Sequence, residues 1–192
     1  MLQYEREILN YNLTYNSYLC VLASGIPFYR MMANEIMRVR NGKERSLILL
    51  INCERRCKAI ELHANFKIVQ LPSELMAFRR PGNYFSGGVF CTSFRTLAID
   101  LFSLRLSPTL IDGIFVILSR QMMDTGTYLP MIFDKYMKGN KQGVIRVYTD
   151  RVWHIKSLKL LKKLHLNDVL LVPRVHCSVI NSLTNTSSVE SN

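Results

Sequence analysis

The chain has 192 residues, 48% of them apolar, enough for one ordinary domain with a real core and at most a small extension. Lys and Arg outnumber Asp and Glu by 25 to 14, a formal charge of +11, which points to polyanionic partners or else to a basic surface that only keeps the protein soluble. Five cysteines without framework spacing, no cationic leader and no apolar run near the roughly 18 residues that span a bilayer lead us to expect a soluble, intracellular, non-membrane protein with reduced thiols.

The predicted elements alternate. A short helix over 1–10 precedes a buried strand, "SYLCVLAS" (17–24), which runs into a Gly-Ile-Pro turn and the helix "FYRMMANEIMRVR". Asn41-Gly42 ends that helix, "SLILLIN" (46–52) is a second strand, and "CERRCKAIELHA" is a second helix. "FKIVQL" (66–71) reads as a third strand, and Pro72 to Tyr84, with its Pro81-Gly82 pair, as loop. "GGVFCTS" (87–93) leads to the helix "FRTLAIDLFS". The run Ile114 to Leu118 in "IDGIFVILSRQ" is a strand with both faces buried, and a helical stretch follows to about Lys138. "GVIRVYTD" (143–150) is a further central strand, "SLKLLKKLH" a basic amphipathic helix and "DVLLVPRVH" a last strand. This order predicts an α/β domain with a parallel sheet covered by helices on both faces, over 1–182, with 183–192 as a disordered polar tail.

In open parallel sheets, ligands sit beyond the carboxyl ends of the strands. A phosphate-binding loop after the first strand needs glycines, a Lys and a helix-start hydroxyl. "ASGIPFYR" has one Gly and neither of the others, so ATP hydrolysis is not expected. Beyond the strand at 114–118 stand Ser119, Arg120 and Gln121, with no acid to hold Mg²⁺. Cys53 and Cys57 share a helix face, but a zinc site needs two more ligands, and the pair is read instead as a core thiol and a surface thiol. The four histidines lack a nucleophile or carboxylate partner in sequence, and no cluster of acids suits metal-assisted hydrolysis. Residues 134 to 174 hold ten Lys or Arg against three Asp, with Tyr136, Tyr148 and Trp153 interleaved. That pattern suits a groove that tracks phosphates and stacks bases, or else a solvated face with its rings in the core.

The stretch "GGVFCTSFRTLAIDLFSLRLSPTLIDGIFVILSRQ", with "GVIRVYTD", "VPRVHCSVINSL" and the opening "LQYEREIL", resembles the N-terminal helicase-like region of the XPF-type DNA repair endonuclease subunits. Residues 30 to 80 match it only as a pattern of elements. The resemblance implies a degenerate first RecA-like lobe of superfamily 2 helicase type. Active relatives there carry Asp-Glu-x-His, and the matching positions here are Ile117, Leu118, Ser119 and Arg120. Ser93-Phe94-Arg95 falls where active helicases touch the phosphates of the strand. Ser93 keeps a hydroxyl and Arg95 adds charge, while Phe94 departs from the pattern in a way that threatens the local turn.

The family's nuclease domain and tandem helix-hairpin-helix elements lie downstream of every matched segment, so Mg²⁺ is expected only with that nuclease domain and no cofactor with this chain. The expected role is non-catalytic: binding DNA junctions between single and double strands, or docking repair scaffold proteins, in nucleotide excision repair in the nucleus. A small helix-hairpin-helix partner subunit is implied for the full-length family. Ser93, Arg95, Arg120, Lys141, Arg151 and Lys159 are the candidate DNA contacts, and Arg146 is expected to point away from them.

Overall fold

The structure is a computed structural model that describes residues 5, 6, 8, 10, 17–23, 25, 26, 28–41, 43, 45–71, 78–118, 128–151 and 158–172, of which 158–160 by backbone alone. Within these residues, seven strands form one parallel sheet. They are β1 (Ser17–Leu22), β2 (Leu47–Ile51), β3 (Ile68–Gln70), β4 (Gly88–Thr92), β5 (Ile111–Ile117), β6 (Val144–Thr149) and β7 (Asp168–Val172), in the spatial order β3-β4-β2-β5-β6-β1-β7. The helices are α1 (Tyr29–Arg40), α2 (Cys57–Glu61), α3 (Arg80–Ser86), α4 (Phe94–Phe102), α5 (Tyr128–Gly139) and α6 (Leu158–Lys163).

The apolar runs are strands because side chains alternate between two covered faces. Leu49, Ile51, Ile114, Val116, Ile145 and Val147 point into one core, which α4 and α5 close with Leu97, Leu101, Ile132 and Phe133. Ile48, Leu50, Phe115, Ile117 and Tyr148 point into the other, closed by Met31, Met32 and Ile36 of α1 and Ile60 of α2. The predicted central strand at 114–118 lies at the middle of the sheet, between β2 and β6.

One expectation is corrected. The segment from Pro72 to Tyr84 is not loop throughout, since α3 begins at Arg80; residues 72–77 lie outside the described residues. Pro81 occupies the first turn of α3, where a missing amide breaks no helical hydrogen bond. Arg80 and Tyr84, one helical turn apart, then both reach the carboxylate of Asp100 on α4. That tertiary contact stabilises a seven-residue helix which its own Pro-Gly pair would discourage.

Gly87 and Gly88 turn the chain from α3 into β4 with φ of 71° and 129°. A Cβ on Gly87 would stand 3.3 Å from the Ser46 carbonyl oxygen, which accepts the Gly88 amide at 2.7 Å. Gly87→Ala is expected to destabilise the domain by about 1–2 kcal/mol, the cost of a left-handed residue with a Cβ. An unchanged urea midpoint would show that the turn relaxes freely.

Candidate nucleic-acid interface

Because all seven strands are parallel, their loops gather at two opposite rims. The carboxyl rim carries Ala23 and Gly25 after β1, Asn52 to Arg56 after β2, Ser93 to Arg95 after β4, Leu118 after β5, and Asp150 and Arg151 after β6.

The loop after β1 is built inward. The Ala23 amide donates to the Val172 carbonyl at 2.9 Å, and the Ile26 amide to the Ala23 carbonyl at 3.1 Å. At the start of α1 the Phe28 ring stacks on Tyr148, with centroids 5.9 Å apart and planes 13° from parallel. A phosphate cradle needs amides turned outward and a cation. Two of these amides serve the fold, and an aromatic ring occupies the helix entrance. Residues 24 and 27 lie outside the described residues.

The end of β5 is closed in the same way. Ile117 and Leu118 are each 5% exposed and belong to opposite cores. The Leu118 amide donates to the Tyr148 carbonyl at 2.8 Å, and Asn52 Nδ2 donates to the Ile117 carbonyl at 2.7 Å. Asn52 adopts φ 59°, a left-handed backbone that Asn tolerates better than most residues. The positions matched to catalytic acids are therefore core positions.

Beyond β4 the chain opens to solvent. Ser93 is the N-cap of α4: its hydroxyl accepts the Thr96 amide at 3.0 Å and lies 2.9 Å from the Thr96 hydroxyl. Phe94 does not displace this turn; it is half-buried, tilted against Tyr128 at 6.0 Å. Arg95 is exposed in the first turn of α4. It does not bond Asp100, whose carboxylate accepts from Arg80 Nε at 2.7 Å, Arg80 Nη2 at 2.8 Å and the Tyr84 hydroxyl at 2.8 Å.

Arg151 shares the carboxyl rim, half-exposed, with its Nε 3.7 Å from Asp150. Lys141 does not. It lies between α5 and β6, on the amino rim, with the length of β6 (about 20 Å) between it and Arg151. On that amino rim Lys43 pairs with Asp112 at the start of β5. Arg120, with Ser119 and Gln121, lies outside the described residues, and so does the side chain of Lys159, whose backbone belongs to α6. Arg55 and Arg56 stand on the carboxyl rim just after β2 and were not among the sequence candidates. Their signal was present: two adjacent arginines directly following an apolar strand.

Of the two readings of Tyr136 and Tyr148, stacking rings or core, the structure shows the core one. Both are fully buried, and burial pushes both phenols above their ordinary range. Trp153 lies outside the described residues. Arg146 faces inward, as expected. Its Nε donates to Glu35 on α1 at 2.9 Å, and its guanidinium lies 4.3 Å from the Tyr18 ring centroid. The Tyr18 hydroxyl donates to the same carboxylate at 2.5 Å. Burial raises Glu35 above the ordinary carboxylate range, against the opposing pull of Arg146 and the Tyr18 hydrogen bond.

The thiols are corrected: Cys57 is not a surface thiol but is buried with Cys53. Cys53 donates to the Ile51 carbonyl at 3.4 Å and Cys57 to the Cys53 carbonyl at 3.2 Å. Among the described residues no three His, Cys, Asp or Glu are grouped to hold a metal ion, and no helix is long and apolar enough to cross a membrane.

No family model matches the chain. It is 28% identical over 193 aligned residues to the DNA repair protein rad16 of Schizosaccharomyces pombe, covering 95% of this chain and 22% of that protein. To the DNA repair endonuclease UVH1 of Arabidopsis thaliana it is 24% identical, covering 88% of this chain and 18% of that one. The chain thus spans about a fifth of the length of these curated relatives. Its fold is similar to the helicase domain of Hef from Pyrococcus furiosus, with TM-score 0.75 and 14% identity over 94% of this chain and 39% of that structure. The sheet is that of a RecA-like helicase lobe, and the resemblance to XPF-type repair endonucleases holds along nearly the whole chain.

Proposed function

We propose that this helicase-like domain, homologous to DNA repair proteins, is a non-catalytic lobe that binds DNA junctions in nucleotide excision repair. The observation that supports the reading is a carboxyl rim whose described residues pair the loop amides and fill the ends of β1 and β5 with apolar side chains, while arginines stand exposed. Phe28 stacks into the loop after β1, and Ile117 and Leu118 fill core positions at the end of β5. Arg95 and Arg151, with Arg55 and Arg56, stand on the same rim. Ser93 takes up the Thr96 amide, which leaves the amides of Phe94 and Arg95 at the positive end of α4 as donors for a backbone phosphate. Arg120 and the side chain of Lys159 extend the proposal to residues the structure does not describe, and Lys141 would require DNA that reaches the opposite rim.

In a full-length protein like its relatives, the lobe would help to place a Mg²⁺-dependent nuclease domain in the nucleus, beside a small helix-hairpin-helix partner subunit. The competing reading is a module that docks a repair scaffold without touching DNA.

Fork binding at two salt concentrations separates the two. Each phosphate contact releases counterions, so Arg95→Ala and Arg151→Ala are each expected to lower the slope of log K against log salt by about one unit. Neither should shift the melting temperature appreciably, because Arg95 is exposed and Arg151 half-exposed. The effect of Arg151→Ala should be the smaller, since Asp150 already offsets part of that charge. A folded Arg95→Ala protein with full affinity and an unchanged slope would remove Arg95 from the site. Nucleotide-dependent stabilisation that vanishes when residues 24–30 are replaced would overturn the non-catalytic reading.

A further inference from the structure

Helix α4 buries Thr96, Leu97, Asp100 and Leu101 and leaves Arg95, Ile99 and Phe102 on one exposed stripe, at the spacing of successive turns. Ile99 is 46% exposed and Phe102 48%. Helix α3, clamped to α4 through Asp100, also exposes Phe85, at 62%.

The turn after α4 makes the stripe harder to dismiss as ordinary surface. The amides of Arg105 and Leu106 return to the Asp100 carbonyl at 3.0 and 3.1 Å, a helix-ending arrangement that places Leu104 at φ 59°. Gly or Asn usually fills such a position, because a Cβ there crowds the following carbonyl oxygen. Leu104 bears that crowding and yet is 78% exposed, while Leu106 supplies the buried side chain of the turn. The fold alone therefore gains nothing from Leu104.

The charge around the patch has one sign. From Phe78 to Ser107 the sole carboxylate is Asp100, buried and bonded to Arg80 and Tyr84. Arg79, Arg95 and Arg105 are exposed. A second copy of this face would bring arginines against arginines. A partner that matches both features presents apolar side chains at turn spacing with carboxylates on their flanks.

We propose that the exposed stripe of α4, with Leu104 at its end, docks an acidic amphipathic helix of a partner protein. Ile99, Phe102 and Leu104 receive its apolar face, and Arg79, Arg95 and Arg105 meet its carboxylates. The surface runs along the α4 face of the sheet, whereas the proposed DNA contacts line the strand ends, and Arg95 alone belongs to both.

The test uses a fluorescein-labelled synthetic helix of about five turns with Leu on one face and Glu on the flanks, and a counterpart with Lys for Glu. The acidic helix is expected to bind in the micromolar range and to weaken with salt, and the Lys counterpart to stay unbound. Leu104→Gly should weaken binding about tenfold or more, yet leave melting unchanged or raised and forked-DNA affinity intact. Phe102→Gln, which keeps Leu104 in place, should weaken it likewise. Equal binding of both peptides, absence of acidic-peptide binding, or full affinity in the folded Leu104→Gly protein would overturn the proposal. So would a concentration-dependent dimer that Leu104→Gly abolishes, since the face would then belong to a second copy. Loss of fork binding in Arg95→Ala alone bears on the DNA reading and leaves Leu104 untouched.

Discussion

Asp100→Ala is expected to cost about 3–5 kcal/mol, the range for removing one partner of a buried ion pair. The carboxylate is fully buried and accepts both forks of Arg80, itself almost entirely buried, together with the Tyr84 hydroxyl. Those hydrogen bonds raise the Arg80 guanidinium above its ordinary pKa, and its intrinsic basicity keeps it charged even when the carboxylate is removed. Alanine would leave the Arg80 guanidinium without its carboxylate and the Tyr84 hydroxyl without its acceptor inside the protein. At about 2–4 °C per kcal/mol for a domain of this size, melting should fall by roughly 10 °C. A urea titration that shows a loss below about 1 kcal/mol would mean that α3 is held by its apolar contacts alone. The contrast with Arg95→Ala is informative. One variant should melt early, the other should stay folded and release DNA, although the two residues share a helix.

The second large effect concerns Arg146 and Glu35. Arg146→Met should lose about 3–5 kcal/mol at neutral pH, because it removes the counter-ion of a carboxylate buried inside the protein. Glu35 is already raised by burial. A carboxyl raised on folding favours the folded state below its unfolded pKa, and that advantage is lost as pH rises through the raised folded value. Without the guanidinium the folded value should climb further. Arg146→Met should therefore recover part of its loss on going from about pH 8 to about pH 5, which the wild type should not do to the same extent. Replacing both residues by Met should return the protein to within roughly 1 kcal/mol of wild type, as seen when buried pairs give way to apolar side chains of similar size. A double variant as unstable as the single ones would show that Tyr18 depends on the carboxylate more than the arginine does. The Tyr18 hydroxyl donates to Glu35, so Tyr18→Phe in the double background separates the two contributions.

Much of the fold was legible because parallel strands covered on both faces must be apolar throughout. "LILLI" and "IFVIL" hold no polar residue for a solvated face, and short runs of β-branched and leucine side chains between helical patterns leave little other choice. The helix at Arg80 was not legible. Pro81-Gly82 is a sound turn signal, and only the clamp at Asp100, sixteen and twenty residues away, outweighs it. The choice between stacking and core for Tyr136 and Tyr148 was not legible, because charges beside them in sequence say nothing about which side of a strand or helix a ring occupies. The Glu35–Arg146 pair joins residues 111 positions apart, beyond any local pattern. The rim was half legible. Ser93, Arg95 and Arg151 follow strands and Lys141 precedes one, so strand direction alone separates Lys141 from the others, a distinction that a count of charges does not make.

The strand order has a consequence for the birth of the protein. β1 is made first, yet both of its neighbours, β6 and β7, come from the far end of the described chain, with Ser17 beside Ile145 and Tyr18 beside Asp168. At about 5–20 residues per second, translation leaves the segment "SYLCVL" waiting roughly 6–25 s for an edge to join. In that interval β2, β4 and β5 can already pair, since Leu47 meets Gly88 and Ile111. The nascent chain therefore carries a half-built sheet and a loose apolar strand together, the condition under which chaperones hold a polypeptide. A premature stop between β5 and β6 would release a product whose first strand never finds a partner.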